Sequence, residues 1–460
     1  MTQLTATTDT TITRADTPNA IARRRPKARA ADGGADMERE SYLLDFRSFL
    51  RPRGLPSKSV TALVIPELTS TPVVMRDGAT TVLAADPVEV VTARGHDALV
   101  ALDHLTPGWW AATLSYDLGR AVERVVPRLA PDTGQPDVVL ARYSARLEIS
   151  GRGARFVGAP AAAARLEELI TRAPVPNVDS RLGQPSSSLD QESFEAGVRA
   201  IVAIIEAGEC YQVNLTRRLR WAERIDPVAL FHSLADRNPA PHASFITLPG
   251  PRSEEPRVVV SASPERFLSW RDRVVETRPI KGTAQEAGVL RASEKDHAEN
   301  VMIVDLARND LGRVCEYGSI EVPELCAVEA HPGLHHLVST VRGRLRDDVG
   351  PGSLVRAAFP PASVTGAPKP RVLQAIEDLE PVRRGVYCGA IGWIDTERHA
   401  GDLAVAIRTF VVSNDGTDLG VGGGIVADSD PSAEWRETEL KAARLLEAAG
   451  VSGPSIRSSS

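Results

Sequence analysis

The chain has 460 residues, 42% of them hydrophobic, enough to bury a large core; length alone allows roughly two to four domains or one large α/β enzyme fold. A net charge of −6 and a pI near 5.9 exclude the basic field that a nucleic-acid partner requires. Cys210, Cys315, Cys326 and Cys388 lie far apart without a C-x-x-C pair, and no stretch approaches eighteen apolar residues. The expected setting is therefore the reducing cytoplasm, with no disulfide or zinc framework and no membrane association.

Residues 1–40, rich in Thr, Ala, Arg and Gly and without periodicity, read as a disordered tail, as do 453–460. From Tyr42 short β-like runs alternate with turns: Ala62 to Ile65, Pro72 to Arg76, Ala98 to Leu102, Trp109 to Leu118 and Val138 to Ile149. An alanine-rich helix is predicted over Pro160 to Arg172, and a Pro/Ser-rich connector follows to Ser188. The boundary expected there separates an amino-terminal β-rich part, 41–180, from a catalytic part, 189–452. Asp190 caps a predicted helix whose apolar residues Phe194, Val198, Ile201 and Ile205 recur at helical spacing, and Gly208 stops it. The strand predicted over Tyr211 to Trp221 turns Val213, Leu215, Leu219 and Trp221 to one face. Gln212, Asn214 and Thr216 point the other way, lining either a polar site or an ordinary wet face.

The chemistry-bearing residues follow. The sequence holds six lysines against 48 arginines, so arginine serves wherever a plain positive charge suffices. Lysine then marks places where arginine cannot act, because an amine can shed its proton and become a nucleophile while a guanidinium stays charged. Lys281, in Arg278-Pro279-Ile280-Lys281-Gly282-Thr283, is the lysine placed between a β-like run and a glycine turn, where it is either idle in solvent or a nucleophile. Glu265, in Ser263-Pro264-Glu265-Arg266-Phe267, falls at the end of a predicted strand, as a proton donor or half of a surface ion pair. Asp296 and Glu299 share one face of a predicted helix over Glu294 to Leu306, and Glu434, Glu437 and Lys441 share one face of a helix started by Asp430-Pro431. Such carboxylate pairs bind a hard cation or meet water. Gly422-Gly423-Gly424, read as a link between a strand and that helix, offers backbone N–H groups to an anion. Arg408, on a strand face between small alanines, has the fork to hold a carboxylate.

Taken together, Gly208-Glu209-Cys210-Tyr211-Gln212-Val213-Asn214-Leu215, the Ser-Pro-Glu-Arg-Phe and Arg-Pro-Ile-Lys-Gly-Thr segments, Met302 to Asp310, His336-Leu337-Val338-Ser339, Thr365-Gly366-Ala367-Pro368-Lys369, Ala406-Ile407-Arg408-Thr409 and Gly424 to Pro431 resemble the chorismate-utilising enzymes in the same order. Leu114-Ser115-Tyr116-Asp117-Leu118-Gly119-Arg120 resembles the amino-terminal part of the family's amino-transferring branches. The resemblance implies an α+β fold of the anthranilate synthase component I type, a single compact body of packed antiparallel sheets with outer helices. It also implies Mg²⁺ between the substrate and Glu299 and Glu437, with Asp296 and Glu434 behind water. Chorismate's carboxylates would lie against Arg408, Lys441 and the amides of Gly423 and Gly424, with Thr365 and Gln212 also at the substrate, His336 against the ring and Glu265 protonating the departing C4 hydroxyl.

Lys281 separates the family's branches, since enzymes that aminate C2 or form isochorismate typically carry alanine there, and those that aminate C4 carry lysine. The lysine would attack C2 as hydroxide leaves C4, and ammonia would then attack C4 and release it. Gln212 stands where enzymes that hydroxylate C2 carry a water-activating lysine, so C4 amination toward 4-aminobenzoate is the expected reaction. Amination at C2 and a non-catalytic chorismate-binding regulator are the alternatives. No G-x-C-x-G elbow surrounds any cysteine, so ammonia is expected from a separate glutaminase subunit.

Overall fold

The computed structural model describes residues 11–14, 64–130, 135–174, 176–177, 182–248, 256–331 and 334–451. Four residues of the segment read as a tail, Thr11–Arg14, form a strand antiparallel to Glu89–Ala93; the other residues of 1–40, and 453–460, lie outside the described ones.

The architecture follows from two-residue alternation. Trp109 and Trp110 are adjacent in the Trp109–Leu114 strand and both buried, yet they enter different cores, because neighbouring side chains on a strand leave by opposite faces. Trp109 joins Val73, Met75, Ile246, Val259 and Ile391 between two sheets. Trp110 joins Leu99, Leu102, Leu354 and Val355 under helices on the outer side, its indole N–H donating to the Thr106 carbonyl at 2.9 Å. A third core lies on the far side of the other sheet, where Leu166, Ile170, Leu230, Phe231 and Leu445 come from helices. The result is two antiparallel sheets of eleven strands packed face to face with helices outside.

Both sheets mix early and late chain. The first sheet runs from Thr11–Arg14 through Glu89–Ala93, Val138–Tyr143, Trp109–Leu114, Ala390–Asp395, Ala400–Val405, Arg266–Arg271, Val274–Arg278 and Leu334–Arg344 to Ile280–Ala284. The second runs from Gly366–Ala367 through Gln212–Trp221, Gly416–Ile425, Thr409–Ser413, Arg257–Ser263, His242–Leu248, Val73–Asp77, Thr80–Ala84 and Ala145–Ser150 to Gly153–Gly158. The segments before and after the connector thus contribute to the same two sheets.

Three early elements differ from the sequence reading. Ala98 to Leu102 lies in the helix Gly95–Asp103, where Ala98, Leu99 and Leu102 are buried at spacings of one and three while Val100 is exposed. Such a short apolar run fits either period. The strand begun at Trp109 ends at Leu114, and Tyr116–Leu118 is a 3₁₀ turn capped by Ser115, whose hydroxyl accepts from the Asp117 amide. Val138 to Ile149 is two strands, Val138–Tyr143 and Ala145–Ser150, in different sheets. Of Ala62 to Ile65, only Val64 and Ile65 are described, and neither is in a strand.

Two helices position the site. Gln191–Glu206 starts at Asp190, whose carboxylate accepts from the Ser193 amide. Its buried Phe194 meets Trp435 edge-on at 5.7 Å, holding the helix Pro431–Ala448 in place. Arg217 lies over the Trp435 ring, 4.0 Å from its centroid. Truncating Phe194 to alanine would cost about 3–5 kcal/mol and loosen the seat of Glu434 and Glu437.

Candidate active site

Lys281 lies on Ile280–Ala284, opposite Leu337 of the Leu334–Arg344 strand. The next residue, Gly282, has φ +76°, and a Cβ there would fall 2.8 Å from the Asp296 carboxyl carbon. Glycine is therefore required both by backbone and by the approach of the helix Glu294–Gly312. Ser293 caps that helix by accepting from the Asp296 amide, and Asn300 binds it to the sheet, donating to the Leu337 carbonyl at 3.2 Å and accepting from the Ser339 hydroxyl. Glu299 consequently faces the strand, its Oε2 3.6 Å from Lys281 Nζ and its Oε1 4.0 Å from Lys295 Nζ.

The second carboxylate group arrives on Pro431–Ala448, whose Asp430 cap accepts from the Ala433 amide. Glu437 Oε1 lies 2.6 Å from Lys441 Nζ, which also donates to the Gly422 carbonyl at 3.1 Å. Burial works to raise the Glu437 carboxyl, but Lys441, with Lys295 and Lys281 adding to it, wins and holds it below its ordinary value. Glu434 goes the other way. Burial and the neighbouring Glu437 raise it against a hydrogen bond from Ser429 at 2.6 Å, and its Oε2 is buried with no partner among the described residues. Glu299 and Glu437 therefore approach common lysines from separate helices. Among the described residues no three acidic, His or Cys side chains are grouped closely enough to hold a metal.

Gly422, Gly423 and Gly424 lie inside the strand Gly416–Ile425 rather than in a link after it, opposite Thr216, Leu215 and Asn214. The neighbour on the other side, Thr409–Ser413, pairs only as far as Leu419, so beyond Gly420 one edge of this strand is open and its outward amides are free to meet a ligand. The glycines also make room. A Cβ on Gly424 would fall 2.5 Å from Gln212 Nε2 and 3.5 Å from Lys281 Nζ, and one on Gly423 would fall 3.3 Å from Glu434 Oε2. Gln212 is fully buried with neither amide atom hydrogen-bonded among the described residues, an arrangement that costs about 1–3 kcal/mol per group unless a ligand completes it.

Glu265 sits between Arg257–Ser263 and Arg266–Arg271, buried, accepting from the Ser363 hydroxyl and the Ile280 amide. Desolvation raises it to about 7, against these bonds and the charges of Lys281 and Arg408. Arg408 stands at the bend between Ala400–Val405 and Thr409–Ser413 rather than on a strand face, with φ +51°. A non-glycine residue in that region stores strain, which recurs where a side chain is aimed at a ligand. Among the described residues its guanidinium meets no carboxylate at ion-pair distance, and its charge is felt at Glu265, His331 and His336. Burial, then Arg408 and His331, lower buried His336 to about 4, so it is neutral near pH 7. Its Nδ1 shares a 2.8 Å hydrogen bond with Thr283 Oγ1, and its ring meets His331 edge-on at 4.8 Å.

Lys281, Glu265, Arg408, His336, Gln212 and Gly424 are thus linked by the distances and charges given above, as are Glu299, Glu434, Glu437, Lys441 and Gly423; Lys281 Nζ, 3.6 Å from Glu299 Oε2, joins the two groups, and Asp296 lies beside Gly282. Thr365 differs in kind: fully buried, its hydroxyl donates to the Pro361 carbonyl at 2.7 Å while its carbonyl accepts from the Asn214 amide. The sequence reading assigned no role to Ser363 or Asn300, whose partners are distant in the chain; Ser429, five residues before Glu434, Lys295, four before Glu299, and Thr283, two after Lys281, were within reach of local spacing.

A family model described as chorismate binding enzyme matches residues 70–447. The chain belongs to the chorismate-binding enzyme family. It is 38% identical over 390 residues to aminodeoxychorismate synthase component 1 of Klebsiella aerogenes, covering 81% of this chain and 85% of that protein. It is also 37% identical over 372 residues to anthranilate synthase component 1 of Streptomyces coelicolor, covering 73% and 71%. The crystal structure of anthranilate synthase component I from Streptococcus pneumoniae TIGR4 superposes with a TM-score of 0.70 at 26% identity, over 90% of this chain and all of the other. The chorismate-binding enzyme fold accounts for the paired sheets and outer helices described above. Among the described residues no helix is long and apolar enough to cross a membrane.

Proposed function

We propose that this chorismate-binding enzyme aminates chorismate at C4, giving 4-amino-4-deoxychorismate for 4-aminobenzoate synthesis. A relative named aminodeoxychorismate synthase matches at 49% identity, over 256 residues, and one named anthranilate synthase component 1 at 37%, which supports this reading. The observation that carries the reading is the pairing of an amine with an acid that holds its proton: Lys281 reaches the open edge at Gly424, and Glu265, with a pKa of about 7, lies within its electrostatic range.

Lys281 forms a bond to C2, the ring double bonds shift, and the C4–O bond breaks as Glu265 delivers its proton, so hydroxide leaves as water. Ammonia then attacks C4, the double bonds shift back, the C2–N bond breaks, and the Glu265 carboxylate takes the surplus proton from the new amine. Arg408, Lys441 and the free amides near Gly423 and Gly424 hold the carboxylates, Gln212 satisfies its amide on the substrate, and neutral His336 lies against the ring. Thr365 acts by fixing the backbone of Asn214. Two helices supply oxygen donors of the kind a hard cation takes, and Glu434 Oε2 is buried without a partner among the described residues; although these carboxylates are not grouped as a three-ligand site, Glu299 and Glu437 would hold Mg²⁺ as a pair, with Asp296 and Glu434 through water, and its charge would bind and neutralise a substrate carboxylate. Ammonia comes from a separate glutaminase subunit; the name component 1 of the Klebsiella relative is consistent with a second component there.

Incubation with chorismate and Mg²⁺ without ammonia, followed by peptide mass analysis, tests this. The expected product is an adduct of chorismate less one water on the peptide holding Lys281. Lys281→Arg should bind chorismate yet lose the adduct and lower C4 amination by orders of magnitude. Full amination by that variant, or a 2-amino product, would defeat the reading.

A further inference from the structure

A cavity lies further along the strand that carries Gln212. Residues Gln212, Asn214, Thr216, Arg218 and Arg220 alternate onto one face of Gln212–Trp221, and Arg218 is opposite Gly420 and Arg220 opposite Asp418. At about 3.3 Å per residue, Arg218 is ~20 Å from Gln212. Around this end of the strand is a cavity of about 100 Å³ lined by Thr216, Arg218, Arg220, Arg257, Arg383 and Tyr387, among others. One water occupies roughly 10–15 Å³ by this measure, so the cavity admits a small organic acid or a phosphate.

Its charge is unbalanced. Arg217, Arg218, Arg220, Arg257, Arg383 and Arg384 line it, against Glu380, Asp415 and Asp418. Some of this charge is already used: Arg217 is held by Glu439, Arg384 by Glu380, and Arg383 by Asp117 and the Leu129 and Ala130 carbonyls. Three guanidiniums keep donors in hand. Arg218 donates one Nη2 bond to the Arg383 carbonyl, Arg220 has only a 3.7 Å approach to Asp418 and a 3.2 Å bond to the Asp415 carbonyl, and Arg257 makes no hydrogen bond or ion pair among the described residues. Val382, Val386, Val411 and Tyr387 supply apolar wall, with the Tyr387 ring so close to Gly420 that a Cβ there would fall 2.2 Å from it. Convergent forked donors beside an apolar wall are what binds a small oxyanion.

The cavity is also wired to the catalytic strand. Arg384 in its wall donates to the Asn214 carbonyl at 2.7 Å and the Val364 carbonyl at 2.8 Å, and Glu380 accepts from the Thr216 amide at 2.8 Å. An occupant that draws on Arg384 or Glu380 therefore acts on the backbone between Gln212 and Thr216 and on the segment holding Thr365.

We propose that the Arg218–Arg220–Arg257 cavity is a binding site for a small phosphate- or carboxylate-bearing metabolite, separate from the chorismate site, whose occupancy changes chorismate affinity through Arg384 and Glu380. The proposal does not depend on which chorismate reaction the chain performs, and its test reads binding rather than turnover. Inorganic phosphate and malonate are titrated calorimetrically into the full chain at constant ionic strength, with and without saturating chorismate and without ammonia or Mg²⁺. One site per chain is expected for the preferred anion, retained when chorismate is present. Arg257→Gln and Arg220→Gln should each weaken it roughly tenfold, Arg257→Lys less, with unaltered melting temperature in the anion-free buffer. Chorismate affinity should move with the anion and the anion's affinity with chorismate by the same factor. Absence of binding at millimolar anion, displacement of the anion by chorismate, undiminished binding in both glutamine variants, or a chorismate affinity indifferent to the anion would overturn it.

Discussion

Replacing Glu265 with glutamine removes a proton site while keeping shape and the ability to accept from Ser363 and Ile280. Burial lifts this carboxyl from 4.5 to about 7, against Ser363, Lys281, Ile280 and Arg408. At roughly 1.4 kcal/mol per pH unit the displacement amounts to ~3 kcal/mol. The unfolded chain releases this proton near 4.5 and the folded chain near 7. Between those values the folded state binds more protons, so the wild-type contribution falls as pH rises and is fully lost above 7. Glutamine has no such penalty. With about 2.1 cal/mol/K of unfolding entropy per residue, a 460-residue chain converts ~3 kcal/mol into a melting-temperature difference of ~3 °C. Differential scanning from pH 4.5 to 8 should show the variant and wild type nearly equal at the acid end and the variant higher by about that amount above pH 7. Amination should fall by about 10²–10⁴-fold while chorismate still binds. A melting difference that does not change with pH, or an active variant, would refute the assignment of Glu265 as the proton-holding acid.

Two further outcomes concern the metal and the nitrogen source. Glu299→Gln and Glu437→Gln should each shift the Mg²⁺ titration to higher concentration and raise the chorismate requirement with circular dichroism unchanged; identical titrations in both variants would locate the ion elsewhere. The isolated chain should aminate chorismate with ammonium salts at alkaline pH but not with glutamine until a glutaminase is added, as read by product formation from glutamine alone.

Much of the late chain was legible because its signals are local. Asp190 and Asp430 each occupy the cap that starts a helix, and Gln212 to Trp221 alternates as a strand must. Ala98 to Leu102 misled because five apolar residues do not define a period. The glycines at 422–424 were read as a link between a strand and a helix, yet they serve a strand edge where the Gln212 amide and Glu434 carboxylate press against the backbone, a constraint set by side chains more than 200 positions away in one case. Arg408 looked like a strand residue because its left-handed φ is imposed by the crossing from one sheet to the other. The raised pKa of Glu265 is a property of its burial in the assembled fold, which outweighs the lowering by Ser363, Lys281, Ile280 and Arg408.

The most direct test is the identity of the product. Purified chain supplied with chorismate, Mg²⁺ and ammonium at alkaline pH should yield 4-amino-4-deoxychorismate, recognised by its mass and ultraviolet spectrum and by conversion to 4-aminobenzoate on addition of a lyase that eliminates pyruvate. Anthranilate or a 2-amino isomer as the product, or recovery of unreacted chorismate from protein that binds it, would contradict the account.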